Sequence, residues 1–515
     1  MTDPPVGGAP PSRLPGASPA AEPERDLSPG EPDILGSSRA GSQAVRGAAL
    51  RVTGYFVTVL AGAASASLLL RHLGTVDTGR YMTIASLVAI IAGVSDLGLT
   101  AVGLREASSR SQAERDAVLR ALLGLRILLT VAGVALMTAI AAVSYPTVFV
   151  IGVPIAGFGL LLQTVQDNYG VLLQVSLRMG WVTVLDLVRG VGSALITAAL
   201  ALAGAGVLAF VAITVPIGLA TVVLSAALIR GERSLAPSFD PARWKSLVRH
   251  VLPYSVAVAA SVVYFQMGQV MTSALASGQE LGYFGASFRV IQVLTLLPGL
   301  AVGTAFPIFA RAASENHRRL GYALERVFEV AIILAAWTAL SVAALAGLAM
   351  SLIGGHEFAP AATVLAIQGI ALAGTFVGAV WSYGLLSLGL YRRILFANVS
   401  LLILSVGVMA VLIPSYGARG AAVGTAVGEV LAATLDAYLL LRDRPQLRPR
   451  LRVLPRVALA SAVAAIPLFF AGVPAIARFA LSTALYGAIL AATKAFPPEL
   501  GDLIPERLRR RFRAT

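Results

Sequence analysis

The sequence predicts an all-α polytopic membrane protein. About fourteen transmembrane helices are expected, as two pseudo-symmetric six-helix lobes around a central cavity plus a C-terminal helix pair. Three observations carry this. First, 57% of the 515 residues are hydrophobic and only 13% are charged, with a mean hydropathy of +0.80, where a soluble domain carries roughly 25% charged residues. Second, apolar runs of about 20 residues recur, each long enough to cross a ~30 Å hydrocarbon core. Third, arginine alternates between loops in a way that only a multi-pass topology explains.

Residues 1–44 are rich in Pro, Gly, Ser, Ala and charge without periodicity and read as a disordered cytoplasmic tail. They hold no basic n-region followed by an apolar h-region, so no cleavable signal peptide is expected and the first span directs insertion. Six spans near 47–70, 80–104, 117–143, 147–176, 181–203 and 206–229 make an N-lobe over 45–230. A cytoplasmic loop at 231–249 leads to a C-lobe over 250–442, with spans near 250–275, 282–310, 323–353, 360–388, 394–414 and 419–441. After a loop at 443–452, spans near 453–472 and 474–494 complete the set, interrupted by Pro467 and Pro474, and 495–515 is a basic cytoplasmic tail. Spans near 28 residues imply tilt or interfacial extension.

Charge tests this count. Alternate loops hold Arg105, Arg110, Arg115 and Arg120; Arg178; Arg230, Arg233, Arg243, Lys245 and Arg249; Arg311, Arg318, Arg319 and Arg326; Arg392 and Arg393; and six arginines from Arg442 to Arg456. The C-terminal tail adds five more from Arg507 to Arg513, whereas the intervening loops carry only Arg71, Arg80, Arg419 and Arg478. By the positive-inside rule both termini are cytoplasmic. The net charge of +14 is therefore topology, and a nucleic-acid partner is excluded. Absence of Cys excludes disulfides, thiol catalysis and thiolate metal sites.

An internal repeat supports the two lobes. Asp77-Thr78-Gly79-Arg80-Tyr81 resembles Glu280-Leu281-Gly282-Tyr283-Phe284, 203 positions on. Tyr169-Gly170-Val171-Leu172-Leu173 resembles Tyr383-Gly384-Leu385-Leu386-Ser387 at an offset of 214, at which Gly206 also meets Gly420. Six spans per repeat is an even number, so both halves enter from the same side, around an axis along the membrane normal.

No P-loop exists, because Trp244 precedes Lys245 and Thr493 precedes Lys494. The four histidines, at 72, 250, 317 and 356, show no metal-ligand spacing. No catalytic residue, metal or cofactor is assigned. Polar side chains at membrane depth carry the remaining information, since a charge at mid-bilayer costs at least ~2.5–3.5 kcal/mol. Arg289 and Gln292 share a face of the eighth span; Arg289 either lines the cavity and holds an anionic head group or snorkels to the outer interface. Gln163, Asp167 and Gln174 form one stripe on the fourth span facing protein or water, with Asp167 a proton or cation ligand or an interhelical contact. Asp186 and Arg189, three residues apart, are expected to pair on one helix or to act at a gate. Asp96 is a gate contact or a structural hydrogen bond. Glu429 shares a face with Asp436 and is an ion-coupling candidate, Asp436 being alternatively interfacial. Arg126 and Arg51 are expected to snorkel to the cytoplasmic side, with a second reading of Arg51 as a cavity residue. Gly420, Gly424 and Gly428 form a small-residue ridge for close packing, and Pro216, Pro298 and Pro307 are expected to bend their spans.

With these residues in hand the chain resembles a known family. Leu70-Arg71-His72-Leu73-Gly74, Gly79-Arg80-Tyr81, Ser95-Asp96-Leu97-Gly98-Leu99 and Arg105-Glu106 are similar to the opening two spans of bacterial polysaccharide-biosynthesis flippases. Gly282-Tyr283-Phe284-Gly285-Ala286, Arg289, Pro298 and Pro307 are similar to that family's eighth span. The family belongs to the multidrug/oligosaccharidyl-lipid/polysaccharide exporter superfamily, and the resemblance covers most of 45–445. It implies two lobes in a V, alternating access in the bacterial inner membrane, and a polyprenyl-diphosphate-linked glycan as substrate. It also implies a cationic lumen, in which Arg289 is the residue assigned; the acidic residues match no coupling site. Membrane lipid, a proton or Na+ gradient, and a polysaccharide polymerase or glycosyltransferases are the implied partners. The alternatives are a peptidoglycan-precursor lipid flippase, a multidrug/cation antiporter of the same superfamily, a fourteen-span major-facilitator transporter, and a membrane-embedded glycan polymerase. The major-facilitator loop signature is absent after the second span, and the longest internal loop, about twenty residues, is too short for the polymerase.

Overall fold

Helices account for nearly all the residues described in the computed structural model, namely 38–99, 112–175, 178–229, 236–315, 317–470 and 472–495, and no strand occurs among them. The chain divides into two units, Met1–Leu50 and Arg51–Thr515, and the helix packing is that of the second. The expected tail at 1–44 lies largely, and that at 495–515 almost wholly, outside the described residues. In chain order the helices are α1 Ser38–Asp96, α2 Gln112–Ser144, α3 Thr147–Val175, α4 Met179–Leu202, α5 Val207–Ala212, α6 Thr214–Leu228 and α7 Pro241–Leu275. They continue as α8 Gly278–Leu294, α9 Leu296–Gly303, α10 Phe306–Glu315, α11 His317–Gly354, α12 Ala361–Ser387, α13 Tyr391–Leu441, α14 Val453–Ala465 and α15 Ala475–Ala492.

Eleven helical stretches among the described residues are long and apolar enough to cross a membrane, fewer than the fourteen expected. The difference has local causes. Expected spans 47–70 and 80–104 are the single element α1, broken at Gly74 (φ 68°, ψ −173°). Likewise 394–414 and 419–441 are α13, broken at Gly417 (φ 54°, ψ −132°). Glycine alone enters such backbone regions at little cost. At Gly417 the chain folds back on itself: Gly420 lies against the Leu412 carbonyl, Gly424 against Met409 and Gly428 against Ser405. The small-residue ridge is thus the seam of an antiparallel helix pair. Expected span 453–472 is short, α14 passing into a 3-10 turn at Ile466–Phe469.

Proline sets the other interruptions. Helix breaks at Ile213, Thr295 and Thr304 each stand three residues before Pro216, Pro298 and Pro307, because proline has no N–H to give and its ring crowds the preceding turn. The expected loop 231–249 is helical from Pro241, where Asp240 caps α7 by accepting from the Ala242 and Arg243 amides at 3.1 and 3.2 Å.

The helices associate in two sets. α2 to α6 pack around α3, and α7, α8, α11, α12 and α13 pack around the α12–α13 contact. α14 and α15 dock on α11, where Tyr486 donates to the Ile333 carbonyl at 2.9 Å and the Trp337 indole to Thr483 at 3.3 Å. The second arm of α1 joins the sets. Gln269 donates to Thr83 at 3.1 Å and Ser86 to Gln266 at 3.3 Å. Nearer Gly74, Gly282 sits so close to the Thr75 carbonyl that a Cβ there would fall 2.1 Å from its oxygen. Gly79 and Gly282, matched in the internal repeat, touch each other, as equivalent residues do only near a symmetry axis. Beside them Arg71 donates to the Leu352 carbonyl at 2.7 Å, placing a cation on the last turn of α11.

Candidate functional site

The joined helices enclose a cavity of about 440 Å³. Both arms of α1 contribute to it, Leu69 and Leu70 from one and Tyr81 and Ile84 from the other, facing Gln163 of α3, Arg189 and Ser193 of α4, and Phe210 and Ile217 of α5 and α6. Among the described residues, Arg289 of α8 is the one lining residue from beyond residue 218. The expectation of a cavity shared between halves is therefore realised unevenly: α1 and helices of the first set build the wall and the second set inserts a guanidinium. Most of the wall is aliphatic, aromatic or small, with hydroxyls from Ser65, Ser193, Thr197 and Thr214.

Of the expected cavity residues Gln163 and Arg289 meet here, and Gln292 and Asp167 stand outside the lining; Arg189, expected to pair with Asp186 or act at a gate, joins them. Arg289 is exposed and donates to Gln292 at 3.4 Å, the contact their spacing predicts. Gln174, half-buried near the end of α3, does not line the cavity. Arg51 lies in α1, but its side chain is outside the described residues.

Below the cavity wall the charges form one chain across four helices. Arg126 of α2 reaches Asp96 of α1 at 3.2 Å and Asp167 of α3 at 3.7 Å, and Arg189 of α4 stands 3.9 Å from Asp167. Two expectations change here. Arg126 does not snorkel: it is only 7% exposed and is held between two carboxylates, because partnering inside protein offsets a desolvation that snorkelling would avoid. The partners of Arg189 lie across the gap on α3, where it also donates to Gln166, whereas the expected pairing ran along its own helix to Asp186. Asp186 itself is exposed. Asp96, read as a gate contact or a hydrogen bond, is an ion-pair partner. Gln166 was not foreseen. Its signal was an uncharged polar residue adjoining Asp167 in the polar stretch from Gln163 to Asn168.

Glu429 and Asp436 lie elsewhere, between α12 and α13. Thr375 donates to Glu429 at 3.0 Å, and Ser382 to Asp436. Thr375 and Ser382 are themselves seven apart, so two carboxyl–hydroxyl contacts repeat along one helix interface. Asp436 is 6% exposed and packed against α12. Glu429 also borders a small void of about 20 Å³ with Tyr264 and Gln368. Among the described residues no three His, Cys, Asp or Glu side chains are grouped as a metal site.

Paired sets of apolar helices with two arginines facing one cavity are the frame of a polytopic membrane protein, and comparison with known proteins says of which family. The family profile described as polysaccharide biosynthesis protein matches residues 44–313, just over half of the sequence. The chain belongs to that family. Among solved structures it is similar to one described as lipid II flippase MurJ in an inward closed conformation, with a TM-score of 0.71 and 11% identity, over 86% of this chain and 98% of that one. It is also similar to an inward-facing multidrug resistance MATE family transporter of the MOP superfamily (TM-score 0.58, 14% identity, 76% and 94% covered). A third is a MOP superfamily transporter from Pyrococcus furiosus (0.52, 17%, 78% and 95%). At such identities the likeness is one of fold. No curated protein matches in sequence. The family is thus the one described for polysaccharide biosynthesis, and the fold is the one these solved structures share.

Proposed function

We propose that this protein is a flippase that carries a polyprenyl-diphosphate-linked oligosaccharide from the cytoplasmic to the outer leaflet of a bacterial inner membrane by alternating access, with both termini cytoplasmic. The observation that carries the reading is the pair of guanidinium groups, Arg189 and Arg289, facing one cavity at membrane depth. Guanidinium matches phosphate oxygens in a two-pronged geometry. A glycan head group cannot cross hydrocarbon unaided, since each unpaired polar group costs several kcal/mol; a hydrated cavity removes that cost while the prenyl tail stays in lipid. The described lining offers a cationic drug no carboxylate beside Arg189 and Arg289, which weighs against the antiporter alternative. A peptidoglycan-precursor lipid carries the same diphosphate, and the family's description in polysaccharide biosynthesis favours the oligosaccharide.

In this reading the first and second helix sets are the two lobes, over 45–230 and 250–442, and the seal at Gly79 and Gly282 closes the Arg-poor, outer end. An ion gradient would act at Glu429 and Asp436, and a polymerase or glycosyltransferases would work on the same lipid. Conditional depletion tests the function, following lipid-linked glycans and surface polysaccharide together. Accumulation of an intact lipid-linked oligosaccharide with loss of one surface polymer is the expected result, and the accumulated lipid names the substrate. Unchanged surface glycans, with cationic drugs retained in the cell, would overturn it.

A further inference from the structure

We infer that Asp167 is an exchange counter-ion: it holds Arg189 in the empty carrier and yields it to the anionic head group, so that the carboxylate sets how tightly the diphosphate binds and how readily it leaves. This rests on the flippase reading above. The two arginines that meet Asp167 are held very differently. Arg126 has its closest contact at 3.2 Å, to Asp96, and its side chain is 9% exposed. Arg189 is 37% exposed, stands 3.9 Å from Asp167, and lines the cavity. Its other holder, Gln166, carries no charge. Asp167 splits its oxygens between them, Oδ2 toward Arg126 and Oδ1 toward Arg189.

The charges explain why only one cation can be traded. Asp96 and Asp167 balance Arg126 and Arg189 in the empty state. If Arg126 moved, Asp96 would lose its 3.2 Å contact and Asp167 one of its two cations, and weakening a charge's pairing inside the protein is strongly unfavourable. If Arg189 turns into the cavity, Arg126 still faces both carboxylates. An arriving diphosphate supplies the negative charge that Arg189 gives up, with no proton or bond changed. Return of Arg189 to Asp167 then frees the anion. Asp167 is thus a positioning residue acting through Arg189.

The test uses the full chain in lipid nanodiscs, with farnesyl diphosphate as the anionic probe and farnesol as the uncharged control. Asp167→Asn is expected to bind the diphosphate about tenfold more tightly, equivalent to about 1.4 kcal/mol, with slower release, and to leave farnesol binding unchanged. In an Arg189→Gln background the same substitution should give no tightening, and Asp167→Glu should restore wild-type affinity. A merely structural carboxylate would lower thermal stability without this selective gain. Gln166→Leu keeps all four charges, loosens Arg189 from its neutral side, and should tighten binding in the same direction if Asp167→Asn does not fold. Wild-type-like or weaker diphosphate binding in the folded variants overturns the exchange alone. Wild-type protein that binds the diphosphate no better than farnesol overturns the flippase reading beneath it.

Discussion

The contact between α1 and α8 near Gly282 makes a sharp test of the proposed alternating-access cycle. In Gly282→Ala a Cβ would lie 2.1 Å from the Thr75 oxygen, 2.7 Å from its carbonyl carbon and 3.0 Å from its Cα. All three are backbone atoms, so no side chain can turn away and the helices must separate. Overpacking a fitted interface costs typically 1–3 kcal/mol, and a backbone clash this short belongs at the upper end. A penalty of about 3 kcal/mol on the sealed form shifts the sealed-to-open ratio by roughly 150-fold. The sequence has no cysteine, so a single Ser193→Cys reports cavity access through an impermeant maleimide added from the Arg-poor side. Labelling should rise by one to two orders of magnitude in Gly282→Ala. In Gly299→Ala it should change little, because nothing lies within 4 Å of a Cβ there. Equal labelling of Gly282→Ala and the parent, with equal thermal stability, would show that the seal does not depend on this approach.

Other expectations rest on the same geometry. Arg126→Gln removes the cation between Asp96 and Asp167 and should cost about 3–5 kcal/mol, read as a lowered Tm and reduced folded yield. Arg289→Ala should abolish surface glycan at normal expression; full activity would remove Arg289 from the mechanism. Tyr486→Phe deletes the bond from α15 to the Ile333 carbonyl, which keeps its helical bond from Trp337, and should destabilise the protein by about 0.5–1.5 kcal/mol, measured by thermal unfolding in detergent.

Hydropathy and arginine spacing were enough to predict a helical membrane protein, because water and lipid act on each segment separately and leave their mark in local composition. The places where helices bend were legible too, since Pro216, Pro298 and Pro307 act within one turn of themselves. So was the seam at Gly420, Gly424 and Gly428, whose four-residue interval is a property of one helix face. Partnership between charges was not. The i, i+3 rule pointed Arg189 along its own helix to Asp186, yet its neighbours on α3 lie more than twenty positions away in sequence. Arg126 sits near a span's end, which suggested snorkelling; the carboxylates of α1 and α3 that hold it inside become neighbours only when three helices pack. Gln266 and Gln269, three apart on α7, offered a polar face without saying that Ser86 and Thr83 of α1 would meet it. Local forces had already determined which segments are helices and where they break. Tertiary structure decided which polar groups in a low-dielectric interior are satisfied by which, since that depends on distances between helices that no single segment encodes.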